Sequence, residues 1–222
     1  MLTVTTATSR RGGSASPQKL TRKGAQTRDR IVVAAAELMF EQGVSGTTLE
    51  HVRDAAGVSS SQIYHYFADK DALIRAVIAY QSETVVGGQE PMLAQLDTVE
   101  GLKAWRDFLV AHVRQLGCRG GCPLGSLGSE LAETNPTARA DVAVALRRWE
   151  SGIRSGLHAM ADSGRLREGA DPDKLATTTL AALQGALLLT QIQRDTTPLE
   201  VSLDTVIDHI ASLAASSVSS PG

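Results

Sequence analysis

Apolar positions along this chain recur at intervals of three and four rather than two, the period of helices that bury one face. From about Thr27 to Gln42, Ile31, Ala35, Leu38 and Met39 fall on one side, and Gly43 is a natural stop. A second helix is predicted after Thr47-Thr48, with Leu49, Val52 and Ala56 on one face and Gly57 ending it in a left-handed conformation. Ser59 is placed to cap a short third helix that carries Ile63 inward. A fourth starts at Asp69 and carries Leu73, Ile74, Val77 and Ile78, before Gly87-Gly88 and Pro91 mark a boundary. Beyond it the pattern predicts helices over about 98–117 and 124–133, a long one from the Asn135-Pro136 break to about 163, and two more over about 173–195 and 200–214. No alternating strand pattern stands out, so the expected fold is all-α.

Composition agrees with that expectation. Hydrophobic residues make up 42% of the 222 positions but aromatics only 4%, so Ala and Leu, both strong helix formers, dominate the apolar set. No stretch approaches the roughly 20 unbroken apolar residues of a membrane span, and the N-terminus lacks the apolar core of a signal peptide. A cytoplasmic protein with no membrane partner is expected. Two cysteines do not make a disulfide framework.

Charge is unevenly spread. Residues 1–30 hold seven bases (Arg10, Arg11, Lys19, Arg22, Lys23, Arg28, Arg30) against one acid, Asp29, whereas residues 76–222 hold twelve bases and seventeen acids. A basic start on an acidic body points the N-terminal end at a polyanion. Residues 1–24 are read as a disordered basic arm and residues 215–222 as a flexible tail. Residues 25–70 and 71–214 form two helical units between them.

Residues 48–67, TLEHVRDAAGVSSSQIYHYF, meet the requirements of a helix-turn-helix. Gly57 supplies the turn. Val52, Ala56, Val58 and Ile63 lock the two helices, and Ser59, Ser60, Ser61 and Gln62 present a polar leading edge small enough to approach base edges. Tyr64, His65 and Tyr66 follow, suited to phosphate contacts or to packing. At Asp69-Lys70 the next helix begins, where backbone amides and an ammonium suit a phosphate.

From Thr27 to about Val77 the chain resembles the DNA-binding domain of the TetR family of bacterial transcription regulators. The resemblance is carried by Thr47-Thr48, Ala55-Ala56-Gly57-Val58-Ser59, Ile63-Tyr64-His65-Tyr66-Phe67 and Lys70-Asp71-Ala72-Leu73. Arg53 departs from it, where the family often has a small Ala. What the resemblance implies is an N-terminal three-helix DNA-binding domain joined to a C-terminal helical ligand-binding and dimerisation domain. Thr47 and Thr48 would meet the DNA at the start of the second helix, with Thr48 on a phosphate. Ser59 opens the reading edge, where Ser60, Ser61 and Gln62 would face bases, Gln62 suiting adenine. Tyr64, His65 and Lys70 would hold the backbone, and Phe67 would pack in the core.

The resemblance also implies a homodimer, a double-stranded operator and a small-molecule effector. The last two helices of such proteins form the dimer interface, which places Leu183, Leu187, Val206, Ile207, Ile210 and Leu213 there. An effector pocket would draw on Trp105, Phe108, His112, Cys122, Trp149, Met160, Gln184, Leu188 and Gln191, apolar walls with a few polar anchors. The expected function is a repressor released from a palindromic operator by its effector.

Cys118 and Cys122 raise an alternative, a thiol-based sensor of electrophiles or oxidants, because Arg114, Arg119 and a helix start at Cys122 are features that lower a thiol pKa. Two Cys without clustered His fall short of a zinc site, so neither metal nor cofactor is expected. No phosphate loop, nucleophile elbow or metal-type His/carboxylate pair points to an enzyme. A helical partner-binding protein without DNA binding is the remaining alternative, opposed by the polar edge Ser59–Gln62 and the basic arm.

Overall fold

A computed structural model describes residues 20–215; most of the basic arm and all of the tail except Ala215 lie outside the described residues. Helix α1 spans Arg22–Gly46, five residues earlier at its start than the apolar period suggested, because Thr21 Oγ1 accepts from the Gly24 N–H and caps it. Its regular run breaks at Gly43, whose φ of 78° and ψ of 167° are not helical. Next come α2 (Leu49–Ala56), α3 (Ser60–Tyr66) and α4 (Lys70–Val85). A 3-10 turn over Gly87–Gln89 leads into the single turn α5 (Glu90–Leu93).

The larger elements follow: α6 (Val99–Gln115), α7 (Pro123–Leu131), α8 (Pro136–Asp162), α9 (Pro172–Gln193) and α10 (Thr197–Ser212). Five of these ten helices begin with Pro in the first turn: α5, and those behind Cys122, Asn135, Asp171 and Thr196. The missing N–H of Pro costs nothing there. Asn135 and Asp171 accept from the Ala138 and Lys174 amides. Among the described residues there is no strand, only an isolated bridge between Leu166 and Ala214. Beside it Ala215 N–H donates to Arg165 at 3.0 Å, so this first residue of the predicted tail is tied to the body.

Two cores organise the helices. The smaller holds Ile31, Val32 and Ala35 of α1, Val52 of α2, Ile63 and Phe67 around α3, and Leu73, Ile74, Val77 and Ile78 of α4. It does not close on itself: Leu127 and Leu131 of α7 and Ala138 and Val142 of α8 complete it. The larger core gathers Trp105, Trp149, Ile153, Leu157, Leu183, Leu203 and Ile210 from α6, α8, α9 and α10. Each such buried side chain contributes about 1.5–3 kcal/mol. An 18-residue stretch of helix α9 is apolar and long enough to cross a membrane by composition. In the fold its apolar residues divide between the larger core and an outward face.

Candidate nucleic-acid interface and internal cavity

The second and third helices set up a polar edge by local chemistry. Thr48 Oγ1 accepts from the His51 N–H at 3.2 Å and caps α2. Gly57 ends α2 with φ 61° and ψ 45°, a conformation that a Cβ would strain. Val52, Ile63 and Phe67 are fully buried and hold α3 against α1 and α2, with the Arg28 guanidinium 5.4 Å over the Phe67 ring. Outside that lock, Thr48, Ser59, Ser60, Ser61, Gln62, Tyr64 and His65 are all exposed, Tyr64 at 59%.

Besides Thr48, five of the predicted contact residues (Thr47, Ser59, Ser61, Gln62 and Lys70) are engaged within the chain, the Ser59 and Ser61 hydroxyls with each other at 2.9 Å. Thr47 is buried, and its hydroxyl donates to the Gly43 carbonyl at 2.8 Å, stitching the kink in α1 rather than facing outward. Gln62 completes a capping box: its Oε1 accepts from the Ser59 N–H at 2.9 Å, while Ser59 Oγ accepts from the Gln62 N–H at 3.3 Å. The side-chain amide of Gln62 thus keeps its Nε2 for an outside partner. That device was legible, since Ser59 and Gln62 have the capping-box spacing. Lys70 is half-buried and its Nζ donates to the Val44 carbonyl at 2.6 Å. Asp69 Oδ1 accepts from the Ala72 N–H at 2.7 Å, so the opening of α4 already holds a carboxylate where a phosphate was expected.

A contact that sequence reasoning missed joins α7 to the turn before α2. The carboxylate of Glu130 accepts from the Val44 N–H and the Ser45 N–H, both at 2.7 Å, and from the Ser45 hydroxyl. The positive φ of Gly43 turns these amides to one side, forming a small anion-binding nest. Burial alone would raise the Glu130 pKa. The Ser45 hydroxyl, the Val44 and Ser45 amides and the charge of Lys70 outweigh it and hold the group below its ordinary value. Nothing in the sequence links Glu130 to residues more than eighty positions away.

Beside α7 lies a cavity of about 260 Å³. Its walls come from Phe40 of α1, Gln81, Thr84 and Val85 of α4, Gly88 and Gln89 of the 3-10 turn, and Phe108, Leu109, His112, Val113 and Leu116 of α6. They are completed by Cys118, Arg119, Gly121, Cys122 and Pro123 from the connection into α7, Trp149 of α8, and Leu187, Thr190 and Gln191 of α9. Of the residues expected to form a pocket, Phe108, His112, Cys122, Trp149 and Gln191 do line it. Trp105 and Met160 do not: both are core residues, and the Trp105 Nε1–H donates to Gln89 Oε1 at 2.8 Å. Gln184 sits behind the wall against Gly125 and the Cys122 thiol. Leu188 is 55% exposed on the outer side of α9. Phe40 was missed because it belongs to the first helix of the chain. Its ring lies where a Cβ on Gly120 would fall, 1.8 Å from the ring carbon, so only glycine permits the approach of α1 to this loop.

Both cysteines are free and buried. Burial pushes the Cys122 thiol up, partly offset by the Gly125 amide and Gln184, which opposes the lowered value expected at a helix start.

The predicted dimer residues also change place. Leu183, Leu187, Ile207, Ile210 and Leu213 are buried in the chain's own core, and Val206 is half-buried against it. The face they leave outward carries Ala181, Gly185, Leu188, Leu189 and Ile192 of α9 and Val201 of α10, with Ile192 68% and Val201 58% exposed. Both helices are apolar on more than one side, and periodicity does not say which side packs inward.

Comparison with known proteins agrees with this architecture. Residues 31–77 match the family of bacterial regulatory proteins, tetR family, and residues 98–206 match the tetracyclin repressor-like C-terminal domain. An HTH-type transcriptional regulator of Mycobacterium tuberculosis, Rv0196, is 28% identical over 187 residues, covering 78% of this chain and 89% of the relative. The HTH-type transcriptional repressor DhaR of Mycobacterium sp. is 24% identical over 185 residues, covering 82% and 91%. The crystal structure of a TetR transcriptional regulator from Chloroflexus aurantiacus superimposes with a TM-score of 0.75 at 29% identity, over 87% of this chain and 98% of that one. With a helix-turn-helix on its own small core, a helical body matched by the C-terminal family and relatives aligned along most of their length, the chain belongs to the TetR family of DNA-binding transcription regulators.

Proposed function

We propose that the protein is a repressor whose dimer places two copies of α3 in successive major grooves of a palindromic operator, and that an effector in the 260 Å³ cavity releases it. Ser60, Ser61 and the free Nε2 of Gln62 read bases. Thr48, Tyr64 and His65 hold phosphates. The cytoplasm, where the operator is, is its place of action.

One observation carries the reading. Helix α7 has its cap Cys122 and its first residue Pro123 on the cavity wall, and near its other end Glu130 grips the turn that leads into α2. A molecule that displaces the start of α7 therefore moves the nest, and with it the helix-turn-helix. Phe40 of α1 and Gln81 of α4 give the same cavity two further handles on the small core. Filling the cavity favours one arrangement of these elements, and the operator favours another, which is the coupling a ligand-released repressor needs.

Selection of bound duplexes from a random pool tests the DNA half. The expected product is an inverted repeat with half-sites one helical turn apart. Gln62→Ala changes the preferred base at one position in each half-site, with discrimination falling by about 1–2 kcal/mol, below a full bidentate pair because Oε1 is held by Ser59. An unchanged preference assigns base reading to Ser60 and Ser61 alone.

A second reading, an electrophile sensor, is favoured by the place of Cys118 on the cavity wall beside the exposed Arg119. Treatment with N-ethylmaleimide separates the two. Under the thiol reading it releases operator from the unaltered protein but not from Cys118→Ser, Cys122→Ser protein; release in both, or in neither, ends it.

A further inference from the structure

We propose that the cavity takes an uncharged molecule of about ten non-hydrogen atoms, an apolar body bearing one oxygen that accepts hydrogen bonds from Trp149 and Thr190. The proposal rests on the reading of this cavity as the effector site.

Size comes first. An apolar cavity of about 150 Å³ accommodates benzene, so one of about 260 Å³ suits a single substituted ring or a branched chain of similar bulk. Charge is the second restriction. Besides the two cysteines, the ionisable residues of the wall are His112 and Arg119, and both are exposed. A carboxylate or ammonium placed deep in the cavity would lie beyond them, desolvated and unpaired, which strongly opposes binding.

Two polar groups then fix the ligand's functional group. Trp149 and Thr190 are 1% exposed and both line the cavity, and the Trp149 indole N–H and the Thr190 hydroxyl have no hydrogen-bond partner among the described residues. Neither is an ordinary core arrangement. Trp105, the other tryptophan, gives its N–H to Gln89. Thr179, on the same helix as Thr190, returns its hydroxyl to the Leu175 carbonyl at 2.7 Å, as Thr177 does to Asp173. Gln89, which lines the same cavity, is already used at both ends, its Nε2 donating to the Val85 carbonyl at 2.6 Å. An indole nitrogen only donates, so its complement is an acceptor, and a carbonyl or ether oxygen also serves a threonine hydroxyl. Such an atom satisfies buried groups that the fold leaves unpaired.

Acetophenone, cumene and benzoate, three molecules of one size, distinguish these features when titrated calorimetrically into the full-length protein. Acetophenone is expected to bind about tenfold more tightly than cumene, the factor a recovered hydrogen bond supplies, and benzoate more weakly than either. Thr190→Val, which keeps shape, is expected to draw acetophenone towards the affinity of cumene while leaving cumene unchanged, and Trp149→Phe, which enlarges the cavity, to narrow the ratio between the two. Benzoate binding as well as acetophenone, equal affinities for acetophenone and cumene, a preference that survives in both variants, or no binding by any of the three would overturn the proposal. Operator retention is followed in the same titration. Acetophenone bound while operator stays bound counts against the release mechanism and leaves the ligand chemistry standing.

Discussion

Replacing Leu188 and Ile192 together with Asp is expected to convert the proposed dimer to a monomer and to weaken operator binding by about 100-fold or more, the loss that follows when two linked contacts become one. Both side chains are exposed in the single chain, at 55% and 68%, so the substitutions leave each core untouched and the helix content unchanged. The reason they break the dimer is desolvation: two pairs of carboxylates would have to enter an apolar interface without partners. Sedimentation velocity and operator titration at fixed salt measure the two effects, salt being held because phosphate contacts vary steeply with it. A dimer that survives the double substitution places the interface elsewhere, with the exposed Val144 face of α8 the next to test. Leu183→Asp is an informative contrast. It enters a fully buried position, and loss of folding rather than clean dissociation is expected.

Glu130→Ala has the second large effect. The substitution removes the acceptor of the Val44 and Ser45 amides and leaves the Lys70 ammonium without its carboxylate neighbour. A loss of about 2–3 kcal/mol is expected, at the lower end because Glu130 is only half-buried and water screens it. In a thermal melt that is a drop of roughly 4–12 °C for a chain of this size. Its distinguishing consequence is functional: operator binding persists but no longer responds to effector, because α7 has lost its hold on the turn before α2. Equal effector response in the variant and the parent would dispose of this route and leave Phe40 and Gln81 as the coupling elements.

The same carboxylate gives a pH signature. Its folded pKa lies below the ordinary value of 4.5, so the stabilisation is complete above that value and is lost as pH falls through the folded one. The stability difference between the parent and Glu130→Gln is therefore flat from neutrality down to about pH 5 and shrinks at more acid pH.

Much of the helical order was legible from residues alone, because helix ends are decided within one turn of the chain. Thr48, Ser59, Asp69 and Asn135 cap where they were expected or where a break was read, and Gly57 takes the left-handed conformation that only its own neighbours require. The polar edge Ser59–Gln62 was readable for the same reason, since a Ser cap opens a short helix whose inward residue is Ile63 and leaves the four residues ahead of it facing out. What local chemistry does not carry is the choice between equivalent partners far apart in sequence. Trp105 and Trp149 look alike along the chain, yet one meets Gln89 in the core and the other walls a cavity. Leu183 and Leu188 both belong to apolar stripes of α9, and packing against α8 and α10 alone sends one inward and the other out. Phe40 reaches the cavity and Glu130 the nest only because α7 comes to lie beside α1. Hydrogen bonds across a turn and a 3.6-residue period are properties of a segment; which face is buried, and which distant carboxylate finds which amide, are properties of the assembled helices.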